Sequence, residues 1–470
     1  MLKWMSAIVL AASAVTAVSA DEVRLPVDAQ TNFAATVYSS GFAFIEDWRR
    51  TGLAAGRSRI AFEGVSPRMD PSSAMLWLPA PARALDLTYD FNVLTAEALL
   101  RRALGKEVGV VRTHPTSGEE TVEPATVLAV GTGSAILRYR DRVETDFPGR
   151  LVFTEVPTDL RAQPTLVATV ETTAPAEAAI GLSYLTQGLD WEADYALELD
   201  EAASQVALIG RARLTNATGV ALKHARLVLV AGDVRRVHRR DEERVMPMAA
   251  RMAAAPAPDM EPEPVADLHA YTVPEAVTLA DQEMRQISLL SASKVAFTRR
   301  YVSESQVNAR FGTSGEPRPT HPQVRYTIVN TAAAGLGQPL PAGVARLYTR
   351  DRAGGLRFIG EDRLNHTGVG DTVVLTPSDA FDLSVLRRQT DLTRVGDKDS
   401  GIVEMSWEID VRNAKAEAVV VDVIETMPPG WQVLSESAPH QRETARRAVW
   451  QVQVPAGGAT RLSYRVRLTT

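Results

Sequence analysis

Cysteine is absent from the 470-residue sequence. Its absence excludes disulfide bonds, thiol nucleophiles, cysteine-ligated zinc and cysteine-bound iron-sulfur clusters. For the same reason we expect no lipid anchor on an N-terminal cysteine. The redox chemistry of sulfur is therefore limited to the 11 methionines.

A surplus of positive charge is also missing. Lysine and arginine number 51 against 57 aspartates and glutamates, which gives a formal net charge of -6. Because no broad cationic surface is available to attract phosphates, we predict no nucleic-acid partner. Hydrophobic residues make up 45% and charged residues 23%, which is ordinary for a soluble globular protein, and the length suggests roughly three domains.

Long apolar runs are missing from the chain except at its start, MLKWMSAIVLAASAVTAVSA. A lysine at position 3, an apolar stretch over 5–18 and small residues before Asp21 are typical of a signal peptide over residues 1–20, cleaved after Ala20. The stretch is short for a membrane span, and no later window reaches the ~18 apolar residues that a span needs. We therefore expect an exported, most plausibly periplasmic protein with no transmembrane segment after leader removal; the alternative is a buried N-terminal helix.

After this leader, apolar residues recur mostly at every second position. Leu85, Leu87 and Tyr89 alternate with polar residues, as does the run from Met405 to Val411. This alternation predicts strands with one solvated face, so the expected fold is mainly β, with several antiparallel sheets or β-sandwiches. The exception is residues 95–104, where apolar residues follow a helical stripe between a threonine cap and Gly105, which predicts one short helix.

Changes in strand length and composition divide the chain. Residues 106–160 form closely spaced short strands that suit a small barrel-like module, although a hairpin extension of the first sheet fits nearly as well. Residues 241–264 are rich in proline, alanine and methionine, and we expect an exposed flexible excursion whose prolines forbid a regular ladder. The predicted parts are a signal peptide (1–20), an N-terminal β domain with the short helix (21–105), the barrel-like module (106–160), a central β domain (164–400) interrupted by the excursion, and a C-terminal immunoglobulin-like sandwich (401–470).

Three stretches resemble one known family. They are GLSYLTQGLDWEADYALELD at 181–200, NATGVALKHARLVLVAGDVRRV at 216–237 and PLPAGVARLYTRDRAGGLRFIGEDRLNHTGVGDTVVL at 339–375. In order and spacing they are similar to exported bacterial proteins of domain of unknown function family 4139, related to mucoidy inhibitor A-like proteins. The resemblance implies a β-rich envelope protein and supplies no catalytic residue.

Catalytic and metal-binding patterns are weak. No two of the seven histidines have the i, i+4 spacing of a helical zinc site, and the Gly-x-Ser-x-Gly turn of serine hydrolases is absent. We therefore predict no catalytic residue, no metal and no cofactor. The remaining candidates for a binding or catalytic site are two acidic clusters: Asp190, Glu192 and Asp194 around Trp191, and Glu361 with Asp362.

These carboxylates have two interpretations. In a strand, Glu192 and Asp194 share a face about 6.6 Å apart, from a rise of ~3.3 Å per residue. That separation is compatible with the paired carboxylates of glycoside hydrolases, which lie ~5 to 9.5 Å apart. A polar outer face beside a buried tryptophan explains the same residues, and we favour this structural interpretation.

The sequence thus predicts a non-catalytic, uncharacterised scaffold of the cell envelope. It would bind an envelope protein or polysaccharide through sheet edges or loops. The alternative is a hydrolase of envelope polysaccharide or peptidoglycan that uses the paired carboxylates.

Overall fold

The computed structural model describes residues 22–90, 92–131, 134–145, 149–157, 160–232, 234, 260, 262–265, 268–307, 317–396 and 401–469. It is 65% strand and 4% helix, with several mostly antiparallel sheets and a single α-helix. The predicted fold class is confirmed. No helix in the described part of the chain has the length and apolar character needed to cross a membrane. The predicted signal peptide lies outside the described residues.

The elements follow one another in four groups. The first is β1 (Glu22–Leu25), β2 (Gln30–Tyr38), β3 (Phe42–Leu53), β4 (Gly56–Glu63), β5 (Met75–Trp77), β6 (Arg83–Asp90) and helix α1 (Ala96–Arg102). The second is β7 (Glu107–Thr113), β8 (Glu120–Gly131), β9 (Ser134–Arg138), β10 (Val143–Glu144) and β11 (Arg150–Val152). The third is β12 (Thr165–Thr172), β13 (Ala176–Gln187), β14 (Leu189–Asp200), β15 (Gln205–Asn216), β16 (Leu222–Ala231), β17 (Pro262–Val265), β18 (Leu268–Thr272), β19 (Val277–Leu279) and β20 (Glu283–Ala296). The fourth is β21 (Thr298–Gln306), β22 (Gln323–Val329), β23 (Gly343–Arg350), β24 (Leu356–Leu364), β25 (Thr372–Asp379), β26 (Leu383–Val395), β27 (Ile402–Asn413), β28 (Val419–Thr426), β29 (Gln432–Glu436), β30 (Gln441–Arg442), β31 (Arg447–Val454) and β32 (Ala459–Thr469).

Helix α1 forms where the sequence predicts it. The side chain of Thr95 accepts a hydrogen bond from the backbone N–H of Ala98, which caps the first turn. Gly105, with φ of 76°, follows the last turn in the left-handed region that glycine adopts without strain. The short helix predicted over 95–104 is therefore confirmed.

A central sandwich carries the largest core. The eight-stranded sheet, with the path β17-β18-β16-β2-β3-β13-β5 and β19 beside β16, packs against the five-stranded sheet β20-β15-β14-β23-β24. Trp191 of β14 joins the two layers, since its Nε1 donates to Val230 O at 3.1 Å and its ring lies 6.2 Å from that of Tyr271. Every second residue of β14 from Trp191 to Leu199 is buried, as the alternation predicts.

Strands from distant parts of the chain share sheets. The four-stranded sheet β1-β4-β12-β6 joins residues 22–90 to residues 165–172, and β3 pairs with β13. The segments separated in the sequence as 21–105 and 164–400 thus contribute to one core cluster. Most pairs are antiparallel, but β1–β4, β2–β16, β14–β23 and β21–β28 are parallel, which the expectation of antiparallel sheets did not include.

The segment between them forms a separate unit. Strands β7 to β11 make an open sheet in the order β10-β9-β8-β7-β11, with a small hydrophobic cluster of its own that includes Val110 and Leu137. Its strands pair with one another, so the predicted barrel-like module is an open sheet and not a closed barrel, and it is separate from the first sheet. We name residues 95–159 the inserted module. Its two connections lie side by side: the N–H of Arg161 donates to Asn92 O at 2.8 Å and that of Leu94 to Arg161 O at 2.6 Å.

The C-terminal sandwich has a second core. A six-stranded sheet, β25-β22-β21-β28-β31-β30, packs on a four-stranded sheet, β26-β27-β32-β29. Trp407, Trp431 and Trp450 are all buried in it, as predicted. Besides residues 401–470, the sandwich includes strands from Thr298 onwards. Along the chain, strands of the C-terminal sandwich therefore come both before and after the last strands of the central sandwich.

The proline-rich excursion is only partly described. Residues 241–259 and 261 lie outside the described residues, whereas Met260 is buried in the central core and its N–H donates to Leu289 O. Pro262–Val265 form β17, antiparallel to β18, so the expectation that prolines forbid a ladder here is wrong. The reason is position: β17 is an edge strand, where a missing N–H leaves no partner unsatisfied.

Candidate functional site

A cavity of about 380 Å³ lies at one end of the central sandwich. Four parts of the chain meet there: the turn between β2 and β3, the start of β14, the end of β16, and the two connected strands β23 and β24. The residues that line it are Ser39, Asp190, Trp191, Glu192, Ala193, Ala231, Pro341, Ala342, Gly343, Arg363, Leu364, Asn365 and His366. We name it the end cavity.

A close approach of two parallel strands shapes its floor. A Cβ atom on Gly343 would lie 1.9 Å from Ala193 O, so only glycine allows β23 to start beside β14. The hydroxyl of the buried Tyr195 donates to Pro341 O at 2.7 Å and holds the chain just before β23. The loop that borders the cavity is thereby fixed from the core side.

Asp190 is the titratable group at the base of the end cavity. Burial raises the pKa of its carboxyl to about 6, and the nearby Glu192 acts in the same direction. Backbone N–H groups of Trp191, at 2.8 Å, and Gly41 donate to the carboxylate and limit this rise. Asp190 is therefore a fixed acceptor that takes up a proton near pH 6.

His366 and Arg363 lie on the opposite side. The backbone N–H of Ala342 donates to His366 Nδ1 at 3.1 Å, so a neutral ring carries its proton on Nε2. Arg363 is exposed, and its guanidinium forms no ion pair with a carboxylate of the described residues. The end cavity thus combines hydrogen-bonding groups with one uncompensated cation.

An ion-pair chain covers the sheet face next to the cavity. Arg213 of β15 binds Glu192 and lies 3.1 Å from Asp194. Arg346 of β23 lies 3.1 Å from Asp194 and 3.2 Å from Glu361. The two acidic clusters singled out in the sequence are thereby joined through arginines, a contact that strand order alone does not reveal.

Two of the predicted residues, Asp362 and Trp191, take no part in these ion pairs. Asp362 accepts hydrogen bonds from the N–H of Thr376 at 2.6 Å and of Arg363 at 2.8 Å, and it does not line the cavity. Trp191 is only 2% exposed and cannot stack on a ligand through its ring. Of the six residues, Asp190, Trp191 and Glu192 border the cavity, while Asp194 and Glu361 belong to the ion-pair chain.

Sequence reasoning missed four polar residues of the end cavity, namely Ser39, Arg363, Asn365 and His366. Ser39 lies more than 300 positions from the others in the sequence, and no local pattern connects them. The run Arg363 to His366 at a strand end was the available signal, since polar residues at strand ends often carry function. Among the described residues, no three histidine, aspartate or glutamate side chains are grouped so as to hold a metal ion.

The fold and this site define a multi-sheet β-sandwich protein with a polar cavity at one end of its central sandwich. The family model described as Domain of unknown function (DUF4139) matches residues 180–470, and the chain belongs to that family. The resemblance of the three sequence stretches is thus confirmed, and the match includes every residue that lines the end cavity except Ser39. No curated protein matches the chain.

Proposed function

We propose that this protein is an exported, non-catalytic β-sandwich protein that binds another component of the cell envelope through the end cavity. The observation that carries the proposal is the convergence of polar side chains from three distant segments on one cavity of about 380 Å³. The signal-peptide pattern at 1–20 supports export.

Binding there requires little ordering. Asp190 is held by two backbone N–H groups, His366 by the N–H of Ala342, and the loop before β23 by Tyr195. Groups that are already fixed lose little conformational entropy when a ligand arrives, so more of the contact energy appears as affinity. A rigid sandwich that presents such loops suits a binding protein.

The ion pairs of Arg213 with Glu192 and Asp194 disfavour the alternative that the protein is a hydrolase. A glycoside hydrolase needs two carboxyl groups that face the scissile bond from both sides. Arg213 lies between Glu192 and Asp194 and occupies that space, and Asp194 is only 9% exposed. These carboxylates neutralise arginines on a sheet face, which is a structural role.

Cross-linked capture tests the proposal. The full chain with a C-terminal tag is expressed in a bacterial host, the periplasm is separated from the cytoplasm, and cross-linked envelope partners are identified. We expect the protein in the periplasmic fraction and a partner whose capture falls at least fivefold in Asn365→Ala. The matched control is Asn32→Ala, an exposed asparagine of β2 that does not line the cavity.

Two results contradict the proposal. The first is capture that is equal in Asn365→Ala, Asn32→Ala and the unchanged protein, which would place binding elsewhere. The second is release of new sugar ends from envelope polysaccharide that disappears in Glu192→Gln, which would establish the hydrolase instead.

A further inference from the structure

The arginines on the outer face of the five-stranded sheet differ in whether they contact a carboxylate. Arg213 and Arg346 each contact two carboxylates, and Arg350 lies 2.6 Å from Glu198. Arg363, at the mouth of the end cavity, has no carboxylate partner among the described residues. An exposed guanidinium with free donors is suited to a bidentate contact with a carboxylate.

The rest of the lining suits hydroxyl groups. Asn365 offers an amide and Ser39 a hydroxyl, while Asp190 offers a carboxyl that is fixed at the base. Donors and acceptors in this mixture match a ligand whose own groups both donate and accept. Sugar hydroxyls have that property, whereas a purely apolar ligand would leave these groups unsatisfied.

Binding of an extended peptide by strand addition is disfavoured at this sheet edge. Strand β24 is the last strand of its sheet, and β25 of the neighbouring sheet packs close to it without pairing with its backbone. The N–H of Thr376 donates to Asp362 at 2.6 Å, and a Cβ on Gly360 would lie 2.2 Å from Pro377 O. These contacts at Gly360 and Asp362 hinder the addition of a peptide strand there, which favours recognition by side chains, as for a sugar.

From these contacts we infer that the end cavity binds an acidic sugar, with its carboxylate on Arg363 and its hydroxyl groups on Asp190, Asn365 and Ser39. This inference rests on the proposed function and adds the chemical class of the ligand. The cavity admits one or two sugar units, so the occupant is a uronic acid or the end of an acidic oligosaccharide.

Calorimetric titration tests the inference on the full chain without its leader. The probes are D-glucuronic acid, D-galacturonic acid and short oligomers of galacturonic acid, compared with D-glucose, D-galactose and a short acidic peptide. We expect the sugar acids to bind at least tenfold more tightly than the neutral sugars or the peptide. Arg363→Gln should weaken sugar-acid binding at least tenfold, which corresponds to about 1.4 kcal/mol, because a charge-assisted contact is lost.

Arg352→Gln is the matched control, because Arg352 is an exposed arginine in the turn at the other end of the same hairpin. It should bind sugar acids as the unchanged protein does. Arg363→Lys keeps the positive charge but lacks the two parallel N–H donors of a guanidinium. Its affinity for sugar acids should lie between those of the unchanged protein and Arg363→Gln, which provides a second measurement if Arg363→Gln folds poorly.

The outcomes separate the ligand class from the proposed function. Equal binding of acidic and neutral sugars, tighter binding of the acidic peptide, or equal losses in Arg363→Gln and Arg352→Gln would overturn the acidic-sugar inference. If no sugar acid binds while capture of an envelope partner still depends on Asn365, the inference fails and the proposed function stands. If capture is also independent of Asn365, both fail.

Discussion

At the scale of single residues, alternation along β14 decides which side chains face the core. The buried positions of Trp191 and Tyr195 follow directly from the sequence pattern, and so does the outward position of Glu192. The environment of Asp190 does not follow, because its burial depends on a turn of β2 and β3 and on the loop before β23. The sequence identified Asp190 as a candidate but not its unusual titration.

Asp190→Asn should change stability in a pH-dependent way. The pKa of Asp190 is raised from 3.8 to about 6 in the folded protein. A folded state that holds the proton more tightly loses stability as the pH rises from about 4 through 6, because the buried carboxyl must ionise. Asparagine keeps an acceptor for Trp191 N–H without ionising. Between pH 4.5 and 7.5, the free energy of unfolding of Asp190→Asn, measured in urea, should rise relative to that of the unchanged protein. The rise should reach up to about 3 kcal/mol, and less where water reaches the carboxyl.

Asp28→Asn is the control for this measurement, since the Asp28 side chain is 89% exposed. It should show no comparable gain at pH 7.5. A variant Asp190→Asn that is no more stable than the unchanged protein at pH 7.5 would mean that Asp190 does not titrate as its burial implies.

At the scale of elements, β3 shows where the alternation rule stops being informative. Asp47 and Arg49 follow Ile45 on the buried face, and both are almost completely inaccessible. The Arg49 guanidinium binds Asp47 at 2.6 Å and donates to Leu25 O and to Glu63 O, which lies 2.8 Å away. Two charges on a buried face cannot be recognised from one strand, because the carbonyl groups that satisfy them belong to β1 and β4.

Arg49→Ala should therefore destabilise the protein strongly. The change leaves the Asp47 carboxylate buried without its partner and two carbonyl groups unsatisfied, which costs about 3 to 5 kcal/mol. The neighbouring Arg50 is exposed, so Arg50→Ala should change stability by no more than about 0.5 kcal/mol. Urea unfolding at pH 7 measures both, and the double change Asp47→Leu with Arg49→Met should recover part of the loss. Equal effects of Arg49→Ala and Arg50→Ala would show that the buried pair adds nothing to stability.

At the scale of the whole molecule, chain order and spatial order disagree. The pattern of strands predicts a β-rich chain and separates residues 106–160 by their short spacing, and strands β7 to β11 form one sheet. It does not show that β12 returns between β4 and β6, because pairing between strands 75 or more residues apart in the chain leaves no local signal. Residues 22–90 and 165–231 are consequently one structural body with the inserted module between them.

Removal of the inserted module tests this organisation. Its connections meet where Asn92 and Leu94 pair with Arg161, and Arg161 also binds Glu22 and Asp90 on the main body. Chain ends that lie side by side are closed by a short linker at little entropic cost. Replacement of residues 95–159 by a short glycine-serine linker should therefore leave a folded protein with a cooperative thermal transition and an unchanged end cavity, measured by circular dichroism and ligand titration. A longer deletion, 95–172, also removes β12 from the centre of its sheet and should abolish folding, so equal behaviour of the two deletions would show that the module is part of the main body.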